Sequence, residues 1–388
     1  MRKQQKLFHK PLIFREGAEK RMNKAYKFRL YPTGEQEELL AKTFGCCRFI
    51  YNIMLEEKIR EYKENGKMKK TTPAGYKQEY PWLKEVHSLA LANVQLHLEQ
   101  AFCVFFKNPK TGFPKFKSRR RSRQSYTTNV VNGNIRLEEG RLKLPKLRGI
   151  RIRLHREIPA EYVLKSVTVS REASGKYYAS LLYEYAACEN QTECRILSSE
   201  NVLGIDYAMN GLAVFSDGSR CDYPKYYRKA EQRLAREQRK LSHCQKGSGN
   251  YRKQRHRVAL CHEKVRNQRK DFQHKLSFRL AEQYDAVAVE DLDMKAMSRC
   301  LHLGKGVMDN GYGMFRNLLE YKLRERGKLL IKVDRFYPSS KTCSVCGKVK
   351  KELPLSERIY RCSCGNEMDR DINAAINIRE EGIRTICA

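Results

Sequence analysis

Alternating apolar and polar residues predict a region of short strands in the first half of the chain. Residues 22–32 alternate as one strand, and short alternating runs recur from residue 126 to about residue 185. Several short strands of this kind predict a small barrel, whose first strand comes from residues 24–31 with helices inserted after it.

Helices are predicted between the first strand and the strands that begin at residue 126. Thr33 followed by Gln36 predicts a capping box that opens a helix, and apolar residues continue at helical spacing behind it. A second helix is predicted over residues 88–106. Residues 111–123 combine Gly and Pro with many cations, which favours a loop that faces nucleic acid.

The second half of the chain alternates strands with helices. Strands are predicted over residues 202–206, 286–290 and 329–333, and a last helix from about Asp371. A long polar region from residue 225 to residue 284, broken near residues 246–250, predicts two antiparallel basic helices. This order is typical of an α/β domain, so a multidomain α+β protein is expected.

The net charge of the chain indicates which class of molecule it binds. The 388 residues contain 78 Lys and Arg against 44 Asp and Glu, a net charge of +34. Such a surplus attracts phosphates and releases counterions from nucleic acid on binding. A basic but otherwise ordinary surface is the alternative, and clustering of the cations with aromatic residues argues against it. No amphipathic apolar face accompanies the basic runs, so membrane binding is not expected.

Localisation follows from what the sequence does not contain. No stretch reaches the roughly 18 consecutive apolar residues of a spanning helix, and the first 21 residues lack the apolar core of a secretion signal. Most of the 14 cysteines are scattered singly, which suits a reducing compartment. We therefore expect a cytoplasmic protein.

Four cysteines have the spacing of a zinc site. Cys343 and Cys346 form one couple and Cys362 and Cys364 a second, each followed by glycine. Four thiolates predict a tetrahedral zinc ribbon. Because a closed four-thiolate shell has no open position, we expect the Zn²⁺ to be structural.

Three acidic residues stand where a catalytic metal would need them. Asp206 and Glu290 each end an apolar strand, and Asp371 opens the last helix. Taken singly, each is more often a cap or a surface charge. As a set they predict a Mg²⁺ site, because carboxylate oxygens are the ligands that Mg²⁺ prefers and two such ions can promote phosphodiester cleavage.

The combination of these motifs resembles the TnpB (OrfB) family of insertion sequences. Gly204-Ile205-Asp206, Val289-Glu290-Asp291-Leu292 and the four-cysteine ribbon are followed by the run from Asp369 to Ile378. The opening Tyr26 to Pro32 is also similar, so the resemblance covers residues 22–388. Ala208 departs from the family pattern, in which glycine is common at that position.

The resemblance implies a multidomain fold with an RNase H-like (RuvC) nuclease core. It implies a β-barrel wedge domain, a helical recognition domain, the nuclease domain and a zinc ribbon after a basic extension. The expected bounds are 1–21 for the extension, 22–35 and 111–188 for the wedge, 36–110 for the helical domain, 200–337 and 367–388 for the nuclease, and 338–366 for the ribbon.

The resemblance also implies a function. Asp206, Glu290 and Asp371 match the catalytic acids, and Asp369 is the less favoured third acid. The implied activity is RNA-guided cutting of double-stranded target DNA in a prokaryotic, nucleoid-associated setting, with a guide RNA, Mg²⁺ and Zn²⁺. The sequence leaves the oligomeric state open, and a monomer is favoured. Two alternatives are a regulator of transposition that binds RNA and DNA without cutting, and a transposase that joins strands.

Overall fold

The computed structural model describes residues 21–66, 71–186, 197–209, 211–300, 304–354 and 356–387. They belong to two compact units, Ala18–Ala187 and Cys188–Ala388, here called the N-terminal unit and the C-terminal unit. Nearly all of the predicted basic extension, and part of the polar stretch near residues 189–201, lie outside the described residues.

The N-terminal unit combines an antiparallel sheet with two long helices. The strand predicted at residues 22–32 and the helix predicted at residues 88–106 are both confirmed, and both hydrogen bonds of the Thr33–Gln36 capping box are present. The elements are β1 Arg21–Tyr31, α1 Gly34–Asn65, α2 Tyr76–Glu79, α3 Ser88–Lys107, β2 Gln124–Asn129, β3 Arg136–Glu138, β4 Arg141–Leu144, β5 Leu147–Arg153, β6 Val163–Arg171 and β7 Tyr177–Ala186.

The sheet of the N-terminal unit must curl. Its seven strands lie in the order β2-β6-β7-β1-β5-β4-β3, so β2 and β3 are the two edges although they follow one another in the chain. In a flat sheet these edges would be about 29 Å apart. The chain from Asn129 to Arg136 reaches at most about 25 Å. The edges therefore approach each other as in a barrel, although β2 and β3 do not pair among the described residues.

Helix α3 supplies one side of the N-terminal core. By length and composition it could cross a membrane, with a third of its most apolar window buried inside the protein. Its buried side packs with α1 and the sheet in one hydrophobic cluster. The residues of α3 in that cluster are Ala90, Leu91, Val94, Leu98 and Phe102.

The C-terminal unit is built on a five-stranded sheet of order β10-β9-β8-β11-β12. The predicted strands, basic helices and last helix are confirmed, whereas β10 and the two short helices α6 and α7 were not predicted. The elements are β8 Val202–Tyr207, β9 Ala213–Phe215, β10 Arg220–Cys221, α4 Tyr226–Ser242, α5 Gly249–Gln283, β11 Ala286–Glu290, α6 Met294–Cys300, α7 Gly304–Asn310, α8 Tyr312–Glu325, β12 Leu329–Val333, β13 Ile359–Arg361, β14 Glu367–Asp369 and α9 Arg370–Cys387.

Alternate side chains of the strands point to opposite faces of this sheet, and the helices of the C-terminal unit pack on both faces. Leu203 and Ile205 of β8 point to a core that contains residues of α5 and α8. Val202 of β8 and Ala288 of β11 point to the opposite face, where Ile378 of α9 packs. Because β8 and β11 are parallel and buried on both faces, they are almost wholly apolar, whereas the parallel edge strand β12 exposes Leu329 and Lys332. The result is a three-layer α/β/α arrangement.

Two glycines allow α9 to lie unusually close to the sheet. A Cβ on Gly204 would stand 2.0 Å from the Ala375 carbonyl oxygen and 2.8 Å from the Arg379 nitrogen. A Cβ on Gly382 would stand 2.7 Å from the Cβ of Ala288. No side chain fits at those distances, so backbone meets backbone where α9 crosses β8.

Replacing Gly204 by Ala should therefore destabilise the C-terminal unit. The added methyl group meets backbone that cannot move without displacing α9, and overpacking of this kind costs about 3 kcal/mol. The expected result is a lower melting temperature by calorimetry. Gly249→Ala is the matched control, because nothing lies within 4 Å of a Cβ there. Equal melting of the two variants would contradict the close approach.

Candidate metal centres

Two of the predicted acids lie at one edge of the C-terminal sheet. β8 and β11 are parallel neighbours, and Ile205 is paired with Val289. The next residue of each strand is Asp206 and Glu290. Because parallel strands end at the same edge of a sheet, the two acids leave the core side by side.

The third acid is placed by the start of α9. Asp369 caps this helix, since its Oδ1 accepts the backbone N–H groups of Asp371 at 3.0 Å and Ile372 at 3.1 Å. Arg220 from β10 forms an ion pair with Asp369 at 2.7 Å and lies 3.9 Å from Asp371. Asp369 is therefore engaged as a helix cap, whereas Asp371 lies in the first turn behind it.

The three acids share one electrostatic environment. Burial raises the pKa of Asp206 well above its usual range, and the charges of Glu290 and Asp371 raise it further while Arg370 opposes them. Burial also raises the pKa of Glu290, against a hydrogen bond from the Ser339 hydroxyl. The structure thus brings the three predicted acids together around Asp206. Neighbouring carboxylates in a buried place repel one another unless a cation joins them.

The carboxylates of Asp206, Glu290 and Asp371 suit a hard divalent cation. They are spaced more widely than the four thiols of the cysteine cluster. Among the described residues, the three carboxylates are not drawn within 4.8 Å of one another as the four thiols are. Arg370 lies 3.4 Å from Asp371 and holds that carboxylate by an ion pair. Ligands that serve two ions about 4 Å apart need not all touch one another. The catalytic roles of these acids stay predictions.

The four predicted zinc ligands form a compact cluster. Their sulfur atoms all lie within 4.8 Å of one another, and the Cys343–Cys364 and Cys346–Cys362 sulfurs are 3.6 Å apart. A tetrahedron with Zn–S bonds of about 2.3 Å has edges of about 3.8 Å. The cluster therefore has the dimensions of a zinc site, and the closed thiol set suits a structural ion.

The backbone of the knuckles also suits a metal. Gly347 and Gly365 have φ values of 75° and 91°, which favour glycine at these turns. Burial raises the pKa of the Cys343 thiol, but the Cys346 N–H, the Asn366 side chain and other donors lower it to about 6 in the net. The thiolate form of Cys343, which is the form that binds zinc, is thus favoured at neutral pH. Although the Asn366 N–H lowers the pKa of Cys364, burial and the neighbouring cysteine thiols raise it to about 12 in the net.

Two asparagines, which the sequence analysis missed, fasten α9 to the first knuckle. The Asn373 amide nitrogen donates to the Thr342 carbonyl at 2.7 Å, and its oxygen accepts the Ser344 N–H at 3.0 Å. Asn377 donates to the Ser339 and Thr342 carbonyls, both at 2.7 Å. Polar residues four apart on an apolar helix face were the available signal. This contact links the cysteine cluster to the helix that carries Asp371.

A polar pocket of about 80 Å³ lies in the N-terminal unit. Arg48, Lys117 and Arg123 contribute cations to it, and Tyr126 contributes an aromatic wall. Lys117 is fixed there, because its ammonium lies 3.8 Å from the centre of the Tyr51 ring. A pocket lined by cations and one aromatic wall suits an anionic, partly planar ligand.

The fold and the four-cysteine cluster place this chain in a class of multidomain α+β proteins. The structure is similar to that of Cas12f1, solved in a complex with a single guide RNA and target DNA. The TM-score is 0.58 at 14% identity, with 92% of this chain and 99% of that chain covered. This likeness supports a multidomain α+β fold of the Cas12f1 type.

The chain belongs to the TnpB (OrfB) family of insertion sequences. It is 36% identical over 372 residues to a proposed RNA-guided DNA endonuclease of Streptomyces pristinaespiralis, covering 93% of this chain and 90% of the relative. It is 31% identical over 387 residues to InsQ of Escherichia coli K12, a protein given the same name, covering 92% of each. The predicted resemblance is confirmed.

Three family models match successive parts of the chain. Residues 185–301 match OrfB_IS605, described as "Probable transposase", and residues 312–378 match the Cas12f1-like TNB domain. Residues 22–67 match a helix-turn-helix domain of the OrfB_IS605 type. In the structure that last segment contains β1 and the 32-residue helix α1.

Replacing Cys343 by Ser should remove zinc and destabilise the C-terminal unit. The variant loses one of four ligands, and the Asn373 and Asn377 contacts then hold an unstructured knuckle. Zinc content by mass spectrometry should fall from one ion per chain, and the melting temperature should fall with it. Cys103→Ser is the control, because Cys103 is exposed and lies outside the cluster. Unchanged melting of the wild type after zinc chelation would refute the site.

Proposed function

We propose that this protein is an RNA-guided DNA endonuclease of a transposable element. It cuts DNA phosphodiester bonds at a RuvC-type site formed by Asp206, Glu290 and Asp371 with Mg²⁺. The observation that carries the proposal is the meeting of these three acids, far apart in sequence, around the buried Asp206. The names of its two bacterial relatives point to the same activity.

Each acid has a separate structural support for this role. Asp206 and Glu290 are held by the paired ends of β8 and β11, and Asp371 by the capped start of α9. Bound there, Mg²⁺ would supply an activated water and stabilise the charge of the leaving oxygen. Arg220 and Arg370 lie beside Asp371 and would supply positive charge to a phosphate bound next to that carboxylate.

The architecture supports the proposed division into domains. The α/β/α arrangement is what an RNase H-like core requires, with residues 200–337 and 367–388 as nuclease and 338–366 as zinc ribbon. The curled sheet supports a wedge domain made of residues 22–35 and 111–188. The helices within residues 36–110 would form the recognition domain, although they share one hydrophobic cluster with the sheet.

The basic surface supports the proposed partners, a guide RNA and a target duplex in the cytoplasm of a prokaryotic cell. Arg119, Arg120 and Arg121 are exposed in the loop before β2. Residues of the same loop line the polar pocket of the N-terminal unit. Phosphate contacts of this kind give affinity without reading sequence, which suits a protein that delegates sequence recognition to base pairing.

Asp206→Ala should abolish cutting and leave RNA binding nearly intact. The substitution removes a metal ligand and no basic contact, and a loss of at least about 10³-fold in rate is expected. The measurement is cleavage of a plasmid that carries a guide-matched target, with and without Mg²⁺, alongside the amount of copurified RNA.

Asp271→Ala is the control for that experiment. Asp271 is an exposed acid of α5 with an ion pair to Lys275, so its loss should not change cutting. Wild-type cutting by the Asp206 variant would refute the assignment. A wild-type protein that retains RNA but does not cut would favour the regulator, and joined DNA products would favour the transposase.

Replacing Arg119, Arg120 and Arg121 together by Gln should weaken nucleic-acid binding mainly at low salt. Each lost phosphate contact reduces the slope of log affinity against log salt by about 0.7 to 0.9. Filter binding at several salt concentrations measures this slope. Lys42→Gln is the control, because Lys42 is already paired with Glu38 and Glu85. An unchanged slope in the triple variant would remove this loop from the interface.

A further inference from the structure

Phe336 is an exposed phenylalanine on the turn that follows β12. It is 85% exposed, more than any other large apolar residue in the described part of the chain. Among the described residues, neither another aromatic ring nor a cation lies on its ring. Single apolar residues on a surface are common, so exposure alone assigns no role to Phe336. Its surroundings do.

The turn that carries Phe336 is held firmly on both sides. The Phe336 N–H donates to the Asp334 carboxylate at 2.8 Å, and the Tyr337 N–H donates to the Asp334 carbonyl at 3.1 Å. Tyr337 packs partly buried against the hydrophobic cluster under α9. The Asn377 amide of α9 donates to the Ser339 carbonyl at 2.7 Å. The outward position of the Phe336 ring is therefore set by the fold.

This turn lies beside the acidic site. Val333, the last residue of β12, is paired with Glu290, and the Ser339 hydroxyl donates to the Glu290 carboxylate at 2.5 Å. Phe336 stands three residues from each of them, so its Cα lies within about 11 Å of both Cα atoms. Because parallel strands end at the same edge of a sheet, the exposed ring stands at the edge that carries Asp206 and Glu290.

Positive charge accompanies the ring. Asp291, the residue after Glu290, forms ion pairs with Arg316 and with Arg335, both at 3.3 Å. One carboxylate thus balances two guanidinium groups, and Arg335 directly precedes Phe336. An aromatic ring beside an excess of cations is the pairing that binds single-stranded nucleic acid, since a base stacks on the ring while phosphates meet the cations.

The ring requires a base whose face is free. Bases inside a duplex are stacked and paired, so an aromatic side chain on the surface cannot cover them. When a guide RNA pairs with one DNA strand, that strand becomes part of a heteroduplex, and the displaced strand is left single. The displaced strand is therefore the partner that matches both the ring and the cations.

We propose that Phe336 stacks on a base of the displaced DNA strand and holds that strand at the acidic site. The inference rests on the proposed function, because it takes the strand to be cut at Asp206, Glu290 and Asp371. Stacking on an aromatic side chain changes binding about 5- to 100-fold per base. Phe336 thus acts after guide pairing, by raising the fraction of complexes in which the strand lies against the carboxylates.

The test measures single-turnover cutting of the displaced strand in a guide-matched duplex with Mg²⁺, by the zinc-loaded protein with its guide RNA. Phe336→Ala should cut about 5- to 100-fold more slowly, with unchanged melting temperature and unchanged binding of the duplex. Phe336→Tyr keeps an aromatic ring and should cut at nearly the wild-type rate. Phe336→Leu keeps apolar bulk without a ring and should cut as slowly as Phe336→Ala.

Phe278→Ala is the matched control. Phe278 is 52% exposed on α5, outside this turn, so its loss should leave the rate of cutting unchanged. Asp206→Ala in the same assay defines the cutting that belongs to the acidic site.

A second arm identifies the base. Duplexes with one abasic nucleotide at successive positions of the displaced strand remove one base at a time and leave guide pairing intact. Loss of the stacked base should slow the wild type by the same factor as Phe336→Ala and should not slow Phe336→Ala further. A role of Phe336 in packing alone would instead give losses that add at every position.

The other outcomes overturn stated claims. Wild-type cutting by Phe336→Ala, with none by Asp206→Ala, overturns the stacking role and leaves the proposed function standing. A rate for Phe336→Tyr as low as that for Phe336→Ala, or additive losses with every abasic duplex, also overturns the stacking role. A wild-type protein that does not cut the guide-matched duplex overturns the proposed function and this inference with it.

Discussion

The contact between α9 and β8 across Gly204 sets the geometry of the C-terminal unit. Helix and strand backbones approach so closely there that no side chain fits between them. The contact fixes the height of α9 above the sheet, and α9 carries Asp371 at its first turn. Since Asp206 stands two residues beyond Gly204, one backbone contact determines how the first and third acids face each other.

The same arrangement explains how a chain of such high positive charge maintains a small acidic centre. Buried carboxylates beside one another destabilise the folded state, and the raised pKa of Asp206 expresses that cost. The parallel strands and the capped helix start hold the acids in spite of it. Arg220 and Arg370 lie beside the outer member, Asp371, and the charge of Arg370 also offsets part of the repulsion at Asp206. Such a cluster of carboxylates is complementary to a divalent cation. Without a cation, repulsion between the carboxylates destabilises the site.

Much of this fold could be predicted from periodicity, and the exceptions have physical causes. The central strands were found because both of their faces are buried, and the zinc ligands because cysteine spacing is itself a geometric constraint. The short helices α6 and α7 gave too few turns for a period. Arg220 and Asn373 were missed because their contacts are with neighbours far away in sequence. The three acids could be named from the family pattern, but their meeting around Asp206 is a property of tertiary structure alone.

The two candidate metal centres share no ligand, yet they are mechanically connected. Asn373 and Asn377 lie one and two turns after the start of α9 and bind backbone groups next to Cys343. β14 runs from the second knuckle directly into the same helix, so both knuckles attach to its first half. A knuckle folded around zinc therefore holds the start of α9 from one side while the Gly204 contact holds its middle from the other. A helix constrained at two places cannot rotate freely, so an ion bound by the four cysteines would influence the position of the Asp371 carboxylate without touching it.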